Sequence, residues 1–87
     1  MDKVFVPRWF AAPDLATLYA VTSRDVLMEH QRIGQRYRRH LLEVRTYADR
    51  LHVQALLDRV DAGLFVSMAQ HEYEEAVRNM ERLEPML

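Results

Sequence analysis

The residues of this chain best suited to metal binding or proton transfer are its four histidines, His30, His40, His52 and His71. No two of them are three or four residues apart, the spacing that brings two ligands together on one helix. Mixed pairs with that spacing, such as His40 with Glu43, supply too few ligands, because a metal centre needs three or more. We therefore expect neither a metal nor a cofactor.

Ser67 and His71 are four residues apart, so a nucleophile and a base could meet on one helix face. No acid is fixed as a third member, and no group that would stabilise an oxyanion is evident. Ser67 followed by Gln70 also fits a capping box, which gives the hydroxyl a structural task. We expect no catalytic residue; the alternative is a small helical enzyme whose site is assembled across a dimer.

Arginine is the other chemically distinctive residue, with eleven copies against the single lysine, Lys3. Residues 30–50 carry a net charge of +4 from six arginines and two acids, whereas residues 58–87 carry −4 from seven acids and three arginines. Two such segments can neutralise each other by lying side by side. The alternative is contact with nucleic acid or an acidic partner through Arg32, Arg36, Arg38, Arg39, Arg45 and Arg50.

One long helix over residues 23–62 is predicted to position these arginines. Apolar and small residues recur at steps of three and four, which is the helical period, and polar residues occupy the opposite side. The apolar seam contains Leu27, His30, Gly34, Tyr37, Leu41, Val44, Ala48, Leu51 and Ala55. Gly63 marks the end of this helix, because glycine readily adopts the left-handed conformation found there.

Two shorter helices are predicted to flank the long one. Pro13 suits the first turn of a helix over residues 13–21, and a Ser67 cap opens another over residues 68–84. Short connections make successive helices antiparallel neighbours. The predicted fold is a single all-α domain of 87 residues, a small helical bundle preceded by an extended aromatic arm at residues 1–12.

Two sets of residues are predicted to contact partners. The first lies where the shorter helices leave the long one uncovered, and it favours a homodimer; its members are Gly34, Tyr37 and Leu41. The second lies in the arm, where no predicted secondary structure accounts for an arginine beside two large rings; its members are Arg8, Trp9 and Phe10. The alternative for the arm is that both rings complete the core of this small chain.

The composition favours an interaction protein. The formal charge of −1 gives no global attraction to nucleic acid or membrane, and no stretch reaches the roughly 18 apolar residues of a membrane span. The absence of cysteine fits a reducing compartment, and the preference for arginine over lysine suggests a GC-rich bacterial or phage genome. We expect a cytoplasmic protein that binds a protein partner as an adaptor, chaperone or inhibitor; the alternative is a nucleic-acid-binding regulator that uses the arginines.

Overall fold

Strands dominate the part of the chain that the computed structural model describes, residues 5–85. They form one mixed six-stranded sheet with two helices, so the predicted all-α helical bundle is wrong. In chain order the elements are β1 (Arg8–Ala11), β2 (Thr17–Ser23), β3 (Val26–Ile33), β4 (Arg36–Glu43), α1 (Tyr47–Asp61), β5 (Val66–Met68), α2 (Gln70–Met80) and β6 (Glu84–Pro85).

The strand order is β5-β1-β2-β3-β4-β6, and every neighbouring pair is antiparallel except β4 with β6. The helices cover opposite faces of this sheet, because the consecutive residues Phe10 and Ala11 belong to two different buried clusters. The α1 side buries Phe10, Val21, Leu27, Leu56 and Val60, and the α2 side buries Ala11, Leu18, Ala20, Tyr73 and Met80.

The first part of the predicted long helix is instead the hairpin of β3 and β4. Gly34 and Gln35 form its two-residue turn between the paired residues Ile33 and Arg36. Gly34 has a φ of +63°, whereas Gln35 does not have a positive φ. This is the pattern of a type II′ turn, which matches the twist of the two strands. The helical prediction failed because both faces of this hairpin carry apolar residues, so steps of three and four also meet apolar positions.

The predicted helix over residues 13–21 is also wrong. Pro13 lies in a turn, Leu15 has a φ of +61°, and β2 begins at Thr17. β2 is an inner strand covered on both faces. Such a strand is apolar at successive positions, so it lacks the alternation by which a half-exposed strand is recognised.

The last part of the predicted long helix is α1. It begins after Thr46, whose Oγ1 accepts a hydrogen bond from the Asp49 N–H at 3.1 Å, while Asp49 Oδ2 accepts one from the Thr46 N–H at 3.1 Å. The predicted stop at Gly63 is confirmed, because this residue has a φ of +76°. The N–H groups of Gly63 and Leu64 bond back to carbonyls of the last turn in the Schellman arrangement.

The helix α2 lies within the range predicted for the third helix, but Ser67 is not its cap. Ser67 belongs to β5, where it pairs with Phe10. The N-cap is Ala69, whose N–H donates to Glu72 Oε1 at 2.9 Å. Glu72 therefore supplies the acidic half of a capping box, and Ala69 has no side-chain oxygen to supply the other half. The hydroxyl of Ser67 takes no part in capping α2.

The predicted aromatic arm contains the strand β1, at Arg8–Ala11, while residues 1–4 lie outside the described residues. β1 pairs with β2 on one side and with β5 on the other. Phe10 is 0% exposed and stacks on Tyr19 with the ring centroids 5.2 Å apart. This burial agrees with the interpretation in which the arm contributes to the core.

Candidate nucleic-acid interface

The hairpin of β3 and β4 collects the predicted arginines Arg32, Arg36, Arg38 and Arg39. No aspartate or glutamate occurs between Glu29 and Glu43. Residues 32–36 and 38–40 are exposed. We refer to residues 31–40 as the basic hairpin.

One face of the basic hairpin, on the α1 side of the sheet, is exposed and positively charged. The register pairs Gln31 with Arg38 and Ile33 with Arg36, which places all four side chains on this face. Arg38 Nη2 donates to Gln31 Oε1 at 2.7 Å, so the guanidinium lies across the hairpin. Together with His40, these residues form the surface that we call the basic face.

The basic face ends where Glu29 pairs with His40. Beyond that pair the sheet is covered, since Leu27 and Leu42 pack in the core that α1 completes. The buried residues of both clusters come from β1, β2, the inner half of β3 and the helices. The basic face therefore extends past the helical layers.

The opposite face of the hairpin is attached to α2 by an aromatic cluster. His30 Nδ1 lies 3.1 Å from Tyr37 Oη, and the two rings stack with their centroids 5.9 Å apart. Tyr73 of α2 contacts the imidazole edge-on at a centroid distance of 5.7 Å. Arg32 and Arg39 lie on this face, paired with Tyr37 and His30 respectively. The cluster holds the base of the hairpin against the body of the protein.

Burial keeps this cluster uncharged. It lowers the pKa of His30, as does the nearby positive charge of Arg39, whereas Glu81 has the opposite effect. Burial also raises the pKa of Tyr37, and it raises the pKa of Tyr73 to about 12. These rings serve to position the hairpin.

The two remaining predicted arginines, Arg45 and Arg50, lie apart from the hairpin. The prediction that the arginines lie along a single helix is therefore wrong. Arg45 follows β4 and forms an ion pair with Glu43. Arg50 lies on α1, with its guanidinium carbon 6.0 Å from the centroid of the Tyr47 ring. The six arginines are distributed over both faces of the hairpin, a connection and a helix.

The acidic C-terminal segment does not neutralise the basic hairpin through ion pairs. Arg8 and Asp61 pair at 2.9 Å and Arg45 pairs with Glu43, and both pairs lie outside the hairpin. Within residues 5–85, no carboxylate oxygen lies within 4.0 Å of a guanidinium nitrogen of the hairpin. Glu84 of β6 is in register with Arg36 of β4, but the two form no ion pair. The guanidinium groups of Arg36 and Arg38 are therefore available to a ligand.

The predicted helical seam of Gly34, Tyr37 and Leu41 does not exist as a continuous surface. Gly34 lies in the turn, Tyr37 is half-buried beside His30, and Leu41 is 49% exposed on β4. Leu41 is the member of this set that offers apolar surface.

The predicted contacts in the arm are partly used within the chain. Arg8 pairs with Asp61, and Trp9 packs half-buried against the cluster on the α2 side. Phe10 is fully buried and offers no surface to a partner.

Neither a metal site nor the Ser67–His71 pair on one helix, both considered from the sequence, is found in the described part of the chain. Its His, Asp and Glu side chains form no group of three that would hold a metal ion. Ser67 and His71 lie on different elements, β5 and α2. The chemistry that the basic face offers is hydrogen bonding and charge attraction to an anion.

Sequence reasoning missed Gln31, Ile33 and His40 as members of this face. The available signal was Gly34 at the turn, with the strand-forming residues Ile33 and Tyr37 close to it on either side. A glycine between such residues is typical of a hairpin. The helical period of the same residues obscured that signal.

Neither described helix has the length and apolar content needed to cross a membrane. No protein-family model, curated protein or solved structure matches this chain.

Proposed function

We propose that this protein is a non-enzymatic module that binds duplex DNA through the basic face of its hairpin. The observation that carries the proposal is the placement of Arg36 and Arg38 on the exposed part of the β3–β4 hairpin, where neither guanidinium forms an ion pair with a carboxylate of residues 5–85. Charged side chains on such a ribbon attract the phosphate backbone, which supplies much of the affinity of proteins for nucleic acid.

The residue types on the basic face support nucleic acid over other anions. Arginine binds phosphate or the edge of guanine with two parallel hydrogen bonds, and glutamine binds adenine in the same way. Arg38 and Gln31 lie side by side on this face, joined by their own hydrogen bond. Together they carry the kinds of donor and acceptor groups that recognise base edges.

The shape of the hairpin favours duplex DNA over duplex RNA. The major groove of DNA is about 12 Å wide and accepts a two-stranded ribbon, whereas the major groove of RNA is too narrow for side chains to read. Ile33, 47% exposed near the turn, adds an apolar group that suits a thymine methyl. Binding would place the turn at Gly34 in the groove, with the two-residue strand β6 beside Arg36 and Tyr37 at its border.

An acidic protein surface is the competing ligand, since it would meet the same charges. The expected function as an adaptor, chaperone or inhibitor of a protein partner therefore stays a prediction, and this surface could serve it. A cytoplasmic location belongs to the proposal, because a DNA ligand and the absence of cysteine both fit that compartment.

The proposal is tested by fluorescence anisotropy with a labelled duplex of about 20 base pairs at low salt. We expect Arg36→Gln combined with Arg38→Gln to weaken binding by about tenfold or more, because two phosphate or base contacts are lost. Duplex RNA of the same length serves as the second ligand and is expected to bind more weakly.

The matched control is Arg78→Gln combined with Arg82→Gln. It removes the same charge from exposed positions within and just after α2, so it separates a local effect from a change in net charge. Equal weakening by both double variants, or no binding by the wild type, would contradict a site at the hairpin. Binding to an acidic protein but not to DNA would assign the surface to the competing ligand.

A further inference from the structure

The outer edge of β4 is open over most of its length. β6 pairs with it at Arg36 and Tyr37, and within the described residues no strand pairs with that edge from Arg38 to Glu43. An open edge presents backbone N–H and C=O groups that pair readily with another strand. This edge is therefore a surface that can add a strand.

The hydrogen bonds of the hairpin determine which residues face the open edge. The Val44 N–H donates to the Asp25 carbonyl at 2.8 Å, and residues of an antiparallel strand bond alternately to one side and the other. The even-numbered residues of β4 therefore bond to β3. Consequently, the backbone groups of Arg39, Leu41 and Glu43 point outward.

We propose that a second copy of this chain pairs with this edge, β4 against β4, about a two-fold axis at Leu41. In this antiparallel register Leu41 meets its own counterpart, and Arg39 of each chain meets Glu43 of the other. All three positions direct their backbone groups across the interface, giving about six hydrogen bonds between the chains. The two sheets become one continuous sheet.

The side chains favour this register over its neighbours. Opposite charges that face each other across paired strands attract, and like charges repel. An axis at His40 would set Arg39 against Leu41, and an axis at Leu42 would set Arg39 against Arg45, so neither forms a pair of opposite charges. An axis at Arg39 would place two arginines face to face, and an axis at Glu43 would place two glutamates face to face. An axis at Leu41 creates two pairs of opposite charge and buries a side chain that is 49% exposed in one chain.

The symmetry identifies a second copy as the occupant. A strand of an unrelated protein would find the same backbone groups, but it would need its own acid and base at matching positions. This chain already carries both, four residues apart on one face of β4. Arg39 and Glu43 of one chain are too far apart to pair with each other in an extended strand. Glu43 pairs with Arg45 of its own chain, and in the dimer it would also face Arg39 of the second copy.

Sedimentation velocity of the purified protein without nucleic acid tests the proposal independently of the DNA site. We expect a dimer at about 50 μM, and we expect Arg39→Glu or Glu43→Arg alone to raise the dimer dissociation constant by about tenfold or more. The two substitutions combined restore opposite charges across the axis and should return the constant to within about threefold of the wild type.

Leu41→Pro is the second variant. It removes an outward N–H without removing a hydrogen bond of the β3–β4 ladder, so it should abolish the dimer while circular dichroism remains that of the folded chain. A wild-type monomer at about 100 μM would overturn the proposal. A doubly substituted chain that associates no better than the single variants would overturn the register.

Discussion

Phe10 and His30 show how single residues connect the sheet to the two helical layers. Phe10 stacks on Tyr19 and lies 6.3 Å from Phe65 between ring centroids, in the core that α1 completes. His30 occupies the other face, where it contacts Tyr37 and Tyr73. The sequence offered burial in the core only as the alternative to partner contact for the two rings of the arm, and it did not predict which face of a sheet each aromatic residue occupies.

Phe10→Ala should lower the free energy of unfolding by about 3–5 kcal/mol, because it leaves a cavity where a fully buried ring was. Such a loss is comparable to the whole stability of many small domains, so the variant is expected to be largely unfolded. Phe10→Leu keeps most of the volume and should cost about 1.5 kcal/mol or less. Urea unfolding followed by circular dichroism compares them; equal stability of all three proteins would place Phe10 outside the core.

Lowering the pH should destabilise the fold through His30. Because its pKa is lowered in the folded state, the unfolded chain takes up this proton first, so stability is complete above about 6.5 and declines as the pH falls below that value. Urea unfolding at pH 7.5 and 5.5 should show a loss in the wild type that is smaller in His30→Gln. Asp49 should not contribute to the difference between pH 7.5 and 5.5, because backbone N–H groups lower the pKa of its carboxyl and keep it ionised at both values. An unchanged pH dependence in the variant would contradict this role.

At the scale of elements, local hydrogen-bonding signals were more informative than periodicity. Gly63 correctly marked the end of α1, because its conformation depends on residues next to it in sequence. The start of α1 at Thr46 and the turn at Gly34 also have local signals, but a helical pattern across residues 23–62 concealed them. Which faces of β2 and β3 are buried depends on helices distant in sequence, so periodicity alone could not predict the sheet.

Gly34→Ala should destabilise the hairpin by about 1–2 kcal/mol, because only glycine adopts a φ of +63° without strain. An added Cβ would meet no atom within 4 Å, so the cost comes from the backbone. Gln35→Ala, at the neighbouring turn position, is the control and should change stability little. Thermal unfolding distinguishes them; equal effects would exclude a special role for the glycine conformation.

Thr46→Ala should cost about 0.5–2 kcal/mol, because its Oγ1 caps the start of α1. Ser67→Ala should cost less, since Ser67 lies exposed in β5 and does not cap α2. The sequence had instead predicted a helix cap at Ser67. A larger loss in Ser67→Ala than in Thr46→Ala, measured by urea unfolding, would contradict the assignment of the caps.

At the scale of the whole molecule, the basic face and the glutamates of α2 lie on opposite sides of the sheet. The basic face extends from the α1 side of the sheet, whereas the acids Glu72, Glu74 and Glu75 lie on α2, across the sheet. The sequence predicted the two charged segments but interpreted the arginines as one stripe on a helix. Their division between two faces follows from the alternation of side chains along a strand.

The most direct test of the proposed function is the salt dependence of DNA binding. If the basic face contacts phosphates, log Kd for the wild type should rise steeply with log [NaCl], and the slope should fall by about 2 when Arg36 and Arg38 are both replaced by Gln. The slope of the Arg78→Gln and Arg82→Gln double variant should equal that of the wild type. A slope unaffected by the loss of Arg36 and Arg38 would contradict binding through the hairpin.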